Sequence, residues 1–539
     1  MLATNGVTLA YGQRVLFKDV SLKFLPGNCY GLIGANGAGK STFVKILSGD
    51  IEADSGEITV GSGQRIAVLK QNHFEFDDFE VLQTVLMGNR PLFDIIKEKE
   101  ELYAKSDFSE EDGMRASELE TRFAEMNGWD AEAQAAGMLG ALGVDTALHG
   151  QKMKDLETGI KVRVLLAQAL FGNPDVLLLD EPTNGLDIQS LMWLEEFLCE
   201  FQNTVIVVSH DRHFLDKVCT HIADIDFSQI TLYTGNYTFW HQASQLVLKQ
   251  RRDQNRKTED KMSELKTFIE RFSANASKSR QATSRKKLLG KLSVEEIKPS
   301  TRKYPHVIFQ EEREAGKDLL QVNALKAEAD GKVLFKNLDL TVMKGEKIAF
   351  VGKDGTPATT LFNILMGEQA PLAGDFRWGI TTSRVFFPKD NAKFFNTDDN
   401  LIAWLRQWAR TDAERDEEFV RGFLGRMLFS GEEVMKKARV LSGGEKVRCM
   451  LSRMMMQRAN VLIFDEPTNH LDLESITALN DGLIAFKGTI LFTSQDREFV
   501  NTIATRIIEL TPNGRIDRVM SYDEYLESSE IAAERAKLY

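Results

Sequence analysis

Apolar positions along the chain fall into two kinds of pattern. Short unbroken stretches such as Tyr30–Ile33, Val176–Leu179 and Val205–Ser209 read as β-strands. Segments with helical character follow them, Thr42–Leu47 after the first and Arg212–Cys219 after the third. β-rich runs alternating with helices predict a mainly parallel sheet, hence an α/β fold. The charged stretches Leu92–Lys105 and Met114–Met126 flank Ser106–Gly113 and predict a helical hairpin arm. Further on, Met262, Leu265, Ile269 and Phe272 recur at helical spacing, which predicts one long helix.

The whole pattern is used twice. LFKDVSL (Leu16–Leu22) returns 318 positions later as LFKNLDL (Leu334–Leu340). VLLLDEPTNGLD (Val176–Asp187) and VVSHDRHFL (Val207–Leu215) return 285 positions later as VLIFDEPTNHLD (Val461–Asp472) and FTSQDREFV (Phe492–Val500). The change of offset gives the first copy a net insertion of about 33 residues, which the arm accounts for. The expected organisation is a domain over residues 1–240 with the arm at about 90–137, a linker over 241–313, and a second domain over 314–539.

Composition narrows the class. A chain of 539 residues exceeds one core, and 43% hydrophobic with 27% charged residues is ordinary for a globular protein. The net charge of −12 argues against wholesale coating of nucleic acid, but the mean hides a local element. From Lys249 to Lys303 there are 17 Lys/Arg against 7 Asp/Glu, and Arg271–Lys291 holds seven basic residues and no acid. The linker reads either as a solvated helix or as a rod presenting cations to phosphate, and its local charge favours the rod. Candidate RNA contacts are Arg271, Lys278, Arg280, Arg285, Lys286 and Lys287. The arm has the opposite sign, with 13 acids against 6 bases from Asn89 to Gln134, and is either a solvated excursion or a contact for a basic protein. Cys29, Cys199, Cys219 and Cys449 are scattered, as expected of reduced thiols rather than a zinc site. No apolar run is long enough to cross a bilayer and Met1–Gly12 is no signal peptide, so a cytoplasmic protein without its own membrane contact is expected.

The chemistry centres on GANGAGKS, Gly34–Ser41, a glycine loop between a strand and a helix. Such a loop turns backbone N–H groups toward phosphate. Gly34, Ala35, Asn36, Gly37, Ala38 and Gly39 form the cradle, Lys40 reaches the β/γ oxygens, Ser41 is a ligand for Mg²⁺, and Thr42 opens the helix. Asp180, ending its strand, is placed to hold the metal through water, and Glu181 to polarise the attacking water. Gln71 can reach the metal and water, His210 the γ-phosphate, and Tyr11 can stack on the base. The set calls for a nucleoside triphosphate, ATP or GTP.

Here the chain resembles the ABC ATPases over both repeats, and the resemblance makes ATP with Mg²⁺ the expected pair. It also adds LSGGE (Leu441–Glu445), similar to the family signature. By resemblance Ser442, Gly443, Gly444 and Glu445 cap the γ-phosphate from the opposite domain of a head-to-tail sandwich, here within one monomeric chain. Tandem ABC domains, an arm, and the linker RFSANASKSRQATSRKK look like the ABC-F subfamily, and within it the YbiT type. The resemblance implies a translation factor bound at the ribosomal exit site, contacting rRNA, with the linker reaching toward P-site tRNA and the arm available to a basic ribosomal protein.

The second copy departs from the pattern. Gly34–Ser41 falls on Gly352–Thr359, GKDGTPAT, where Pro357 and Ala358 replace a glycine and the lysine while Thr359 keeps the hydroxyl. Tyr11 falls on Ala329, Gln71 on Lys389 and His210 on Gln495, while Asp465 and Glu466 survive. The first copy's counterpart of LSGGE is LETGI (Leu156–Ile160), with Glu157 and Thr158 bringing charge and bulk toward a phosphate. The losses fall on one composite site, which predicts one hydrolytic and one degenerate site. Rival readings are a transporter motor with separate membrane subunits, a DNA-transaction ATPase and, least in keeping with the complete first site, a non-hydrolysing structural protein.

Overall fold

The computed structural model describes residues 1–272 and 302–539 apart from positions 13, 36, 70, 71, 73, 106, 185, 187, 330, 353 and 354. The first repeat contributes β1 (Leu2–Tyr11), β2 (Arg14–Phe24), β3 (Cys29–Gly34), β4 (Ser55–Val60), β5 (Ile66–Val68), β6 (Val176–Asp180), β7 (Thr204–Val208), β8 (His221–Asp226) and β9 (Gln229–Thr234). They form a six-stranded sheet, order β5-β6-β7-β3-β8-β9, parallel up to the antiparallel β8–β9 hairpin. A second, antiparallel sheet has the order β2-β1-β4. The sequence reading did not separate this small sheet, because its strands show an exposed face and irregular registers rather than solid apolar runs.

Every residue of β6 and β7 is buried, since the sheet has cover on both faces. Val176 and Leu178 pack with Phe43 and Ile46 of the helix Lys40–Ser48 and with the small sheet. Leu177 and Leu179 face the opposite core, with Leu165, Leu166 and Leu198. A period of two thus feeds two cores from one strand.

The second repeat reproduces this plan with β10 (Asp318–Ala329), β11 (Lys332–Met343), β12 (Lys347–Val351), β13 (Ala373–Trp378), β14 (Arg384–Phe387), β15 (Val461–Asp465), β16 (Thr489–Thr493), β17 (Arg506–Thr511) and β18 (Gly514–Arg518). Its sheets run β14-β15-β16-β12-β17-β18 and β11-β10-β13.

In the first repeat the helices Arg90–Tyr103 and Glu110–Glu125 lie against each other. Arg115 grips Glu98 with two bonds of 2.7 and 2.9 Å, and Lys99 Nζ sits 3.8 Å from the Phe123 ring centre. The long helix Tyr237–Phe272 leaves the first domain through buried Tyr237 and Trp240. Lys278, Arg280, Arg285, Lys286 and Lys287, and the side chain of Arg271, lie outside the described residues. Among the described residues no helix is long and apolar enough to cross a membrane.

The chain re-enters the described region at Arg302, which ties three parts together. Its guanidinium bonds Asp224 of β8 at 2.6 Å, forms an ion pair with Glu474 of the second domain at 3.2 Å, and stacks 4.3 Å over Trp240. Trp240 Nε1 donates to the other Asp224 oxygen at 3.2 Å. All three charged side chains are nearly excluded from water, so Arg302 is the cation that balances both carboxylates, with the Trp240 N–H assisting at Asp224. Replacing Arg302 by Gln should destabilise the junction by about 3 kcal/mol, because two buried carboxylates lose their partner. A lowered urea midpoint for separation of the domains, followed by tryptophan fluorescence, is the expected result; an unchanged midpoint contradicts it.

Candidate nucleotide site at the domain seam

Three strand ends bring the candidate residues together. β3 ends at Gly34 and feeds the loop, β6 ends at Asp180 beside Glu181, and β7 ends just before Ser209 and His210. The loop glycines are needed locally: Gly39 has φ 104°, and a Cβ there would press on Leu16 and Phe17 at 3.2–3.3 Å. Lys40 Nζ donates to the carbonyls of Gly34 (2.8 Å) and Ala35 (3.4 Å), and the Ala38 N–H returns to Ala35 O at 3.0 Å. Arg14, which sequence reasoning missed, braces the loop from β2 by donating to Gly37 O at 2.7 Å. Only pairing in the small sheet puts that arginine under the loop.

A cavity of about 920 Å³ contains this chemistry. From the first domain it is lined by Tyr11, Gly37, Gly39, Lys40, Ser41, Thr42, Asp180, Glu181 and His210, with Tyr11 exposed at its mouth. From the second domain come Thr468, Asn469, His470, Leu471, Ile476, Gln495 and Asp496. The pocket is therefore built across the seam. Asn36 and Gln71 lie outside the described residues.

Ser442, Gly443, Gly444 and Glu445 do not line the cavity; they start the helix Gly443–Gln457 behind His470. A Cβ on Gly443 would come within 3.1 Å of the His470 ring, so these glycines are where the two segments touch. Ser442 and Glu445 cap the helix reciprocally, and Lys436 holds Glu445 at 2.9 Å. In the first copy Glu157 precedes the helix Thr158–Leu170 and makes no side-chain cap, and Ile160 stands where the reciprocal Glu would be, so neither half of the box is present.

Electrostatics set the protonation of the pocket. Burial, then the Asp180 charge, push Glu181 up to about 8, and Lys40 pulls the other way. His210 Nε2 lies 3.4 Å from Glu181 Oε1, and burial with the Lys40 charge lowers its pKa to about 4, so the ring is neutral. Burial lowers the pKa of Lys40, opposed by Glu181 and then by Glu474 and Asp472 of the second domain. Burial raises Asp180, which accepts from the Ser41 hydroxyl. A buried carboxylate joined to a hydroxyl is a hard oxygen pair of the kind Mg²⁺ takes.

The second copy shows the same skeleton with altered contents. Glu181 and Glu466 both have a left-handed backbone, φ 53° and 51°. The N–H of His210 approaches Glu181 at 3.4 Å, and that of Gln495 approaches Glu466 at 3.2 Å. The loops differ: after Gly352 and two undescribed positions, the helix begins at Thr356, two positions before the counterpart of Lys40. Pro357 sits in its first turn, where its fixed φ suits a helix and cannot copy Gly39. Ala358 is buried, and Thr359 lies beside Asp465.

Comparison with known proteins is consistent with this geometry. The ABC transporter family matches residues 17–184 and 335–469, together more than half of the chain, and a second family of that description matches 223–309. The chain is 59% identical over its whole length to the whole of YkpA of Bacillus subtilis (strain 168), an uncharacterized ABC transporter ATP-binding protein. It is 45% identical to YbiT of Escherichia coli O157:H7, a probable ATP-binding protein, over 98% of this chain and all of that one. ABC transporter F family member 2 of Arabidopsis thaliana is 30% identical over 98% of this chain and 79% of its own. Among solved structures, the archaeal ribosome recycling factor aABCE1, seen with the ribosomal stalk protein aP1, covers 99% of this chain and 98% of its own at TM-score 0.63 and 16% identity, a likeness of fold. A seam pocket between two such domains defines a tandem ABC ATPase, which binds ATP. This chain belongs to the ABC-F branch of that family, similar to the YbiT type.

The seam also holds a carboxylate pair. Asp211 and Asp496 cap the helices Arg212–Val218 and Arg497–Ile503, which touch across it. Burial, then the Asp496 charge, push Asp211 up to about 7, and burial also raises Asp496. The sign follows from linkage: the closed contact binds the proton more tightly than the open one. Its stability is complete below the ordinary carboxylate range near about 4 and is lost as pH rises through about 7. Energy transfer between dyes on the two domains should therefore fall between pH 6 and pH 8. Asp496→Asn, which keeps the cap and removes the charge, should flatten that fall; an equally steep profile in the variant would contradict the assignment.

Proposed function

We propose that this ABC-F ATPase is an ATP-driven clamp that acts on the ribosome, with one hydrolytic site and one degenerate site. The carrying observation is that Lys40, Ser41, Asp180, Glu181 and His210 share one seam cavity with second-domain residues, while the second loop has no counterpart of Gly39 or Lys40. The loop N–H groups and Lys40 bind the β/γ phosphates, and Tyr11 stacks on the base. Ser41 and Asp180, joined by Gln71, would hold Mg²⁺, which supplies charge neutralisation when bound. Glu181 orients the attacking water and polarises it in its ionised form, which the Lys40 charge favours, and neutral His210 donates to the γ-phosphate.

Triphosphate binding draws the domains together until Ser442 and the Gly443–Glu445 turn pass His470 and cap the phosphate. Arg302 carries this movement to the long helix, since one guanidinium joins the helix base, β8 and Glu474. The basic linker then engages rRNA or P-site tRNA at the exit site, and the acidic arm meets a basic ribosomal protein. Hydrolysis at the first site releases the complex. ABC-F membership and the linker charge support the ribosomal target, and aABCE1, which shares the fold, is a ribosome recycling factor.

Glu181→Gln should lower hydrolysis by about 10²–10⁴-fold and leave ATP binding in place. On sucrose gradients this variant should travel with ribosomes only when ATP is present. Sedimentation with membranes, or capture by DNA in preference to ribosomes, would overturn the reading. Changing Arg285, Lys286 and Lys287 together to Ala should reduce the slope of log affinity against log salt by about 2–3, as expected for three lost phosphate contacts.

A further inference from the structure

The helices Arg212–Val218 and Arg497–Ile503 are counterparts in the two repeats, yet the arginines that open them have different partners. At the 285-residue offset Arg212, Asp216 and Thr238 correspond to Arg497, Asn501 and Asp523. In the second domain Arg497 Nε donates to Asp523 at 2.6 Å, and Asn501 Nδ2 donates to the other oxygen of that carboxylate at 2.7 Å. The first domain has exchanged these groups. Thr238 stands where the acid would be, and its N–H and hydroxyl take the two oxygens of Asp216, each at 2.6 Å. Arg212 thereby lacks the partner that its counterpart keeps within its own domain.

A charge without a contact is the result. Arg212 is half-buried, and its Nε and Nη2 are shut off from water and complete no hydrogen bond among the described residues. Two such donors are costly to bury unless some arrangement of the molecule pairs them. The Arg212 charge reaches Tyr237 and His241 at the base of the long helix, and Asp496 across the seam. Of these only Asp496 is a carboxylate. Its Oδ1 accepts the Phe499 N–H at 2.9 Å and the Glu498 N–H adds to that cap, while Oδ2 is buried and completes no hydrogen bond among the described residues. Burial raises the pKa of Asp496, and the Phe499 N–H and then the Arg212 charge oppose the rise.

The unpaired donors and the unpaired oxygen thus sit on facing helices of the two domains, which already touch. The reverse pair, Arg497 with Asp211, is denied because Asp523 holds Arg497. Asp496 also lines the nucleotide cavity, beside Gln495 and opposite His210 and Asp211. A hold on Asp496 is therefore a hold on the second-domain wall of that cavity.

We propose that Arg212 is a positioning residue that binds the Asp496 carboxylate as the two domains close, and so fixes the second-domain wall of the nucleotide cavity. The inference rests on the clamp reading and deepens it, since Arg212 supplies the catch that the closing movement engages.

Full-length Glu181→Gln protein with dyes on the two domains tests this at one fixed pH, through the ATP concentration that gives half-maximal energy transfer. Arg212→Gln, and Asp496→Asn, which keeps the helix cap, should each raise that concentration about tenfold, as expected when a buried charge loses its partner. The double variant should stay within about threefold of either single one, because one change already removes the contact. Thr238→Asp with Asp216→Asn rebuilds the second domain's trio in the first and should draw Arg212 away from the seam. Closure should then be weakened as in Arg212→Gln, although Arg212 and Asp496 are both present; a role in packing alone predicts no change there. Single effects that multiply in the double variant, or a rebuilt trio that closes like the parent, would overturn the proposal. A parent protein that shows no ATP-driven closure overturns the clamp reading and this inference with it, whereas a parent that closes while the variants depart from these outcomes overturns this inference alone.

Discussion

Burial of the central strands on both faces is the constraint from which the rest of the molecule follows. A strand with apolar cover above and below has no side chain to spare for chemistry along its length. Polar groups collect where the strands end, and β3, β6 and β7 are neighbours that end on the same side. The loop, the Asp180–Glu181 pair and His210 are far apart in sequence and adjacent in space for that reason. The same packing explains the raised Glu181 and lowered His210, whose surroundings penalise charge of either sign.

The two halves show how one scaffold carries different contents. Positive φ at Glu181 and Glu466 and the matched approaches of His210 and Gln495 are common property, because they belong to strand-to-loop geometry. The loop is where the copies diverge. Proline in the first helical turn is well accommodated, and its helix starts earlier. A single replacement thereby removes a glycine conformation, a backbone donor and part of the cradle.

Coupling between the halves is electrostatic as well as steric. Lys40 feels Glu474 and Asp472 from across the seam, and Glu474 in turn holds Arg302. Charges that sense one another thus run from the Lys40 loop to Arg302 at the base of the long helix. Only the Arg302 steps are buried ion pairs, in which losing one partner costs more than the pair contributes. Such contacts set positions rather than add much stability.

The sequence alone determined the duplication, the α/β class, the phosphate loop, the loss of its lysine in the second copy and the long helix, because each is written in local residues at fixed spacing. Lys40, Ser41, Asp180 and Glu181 could be named as candidates because phosphate chemistry calls for those groups next to strand ends, and the structure places them around one cavity. What only the tertiary structure decided is which distant groups share that space: Arg14 beneath the loop, Asp211 facing Asp496, His470 between Ser442 and the cavity, and Arg302 joining three parts. Their spacing carries no signal, because sheet pairing and domain contact, not neighbouring residues, bring them within reach of one another.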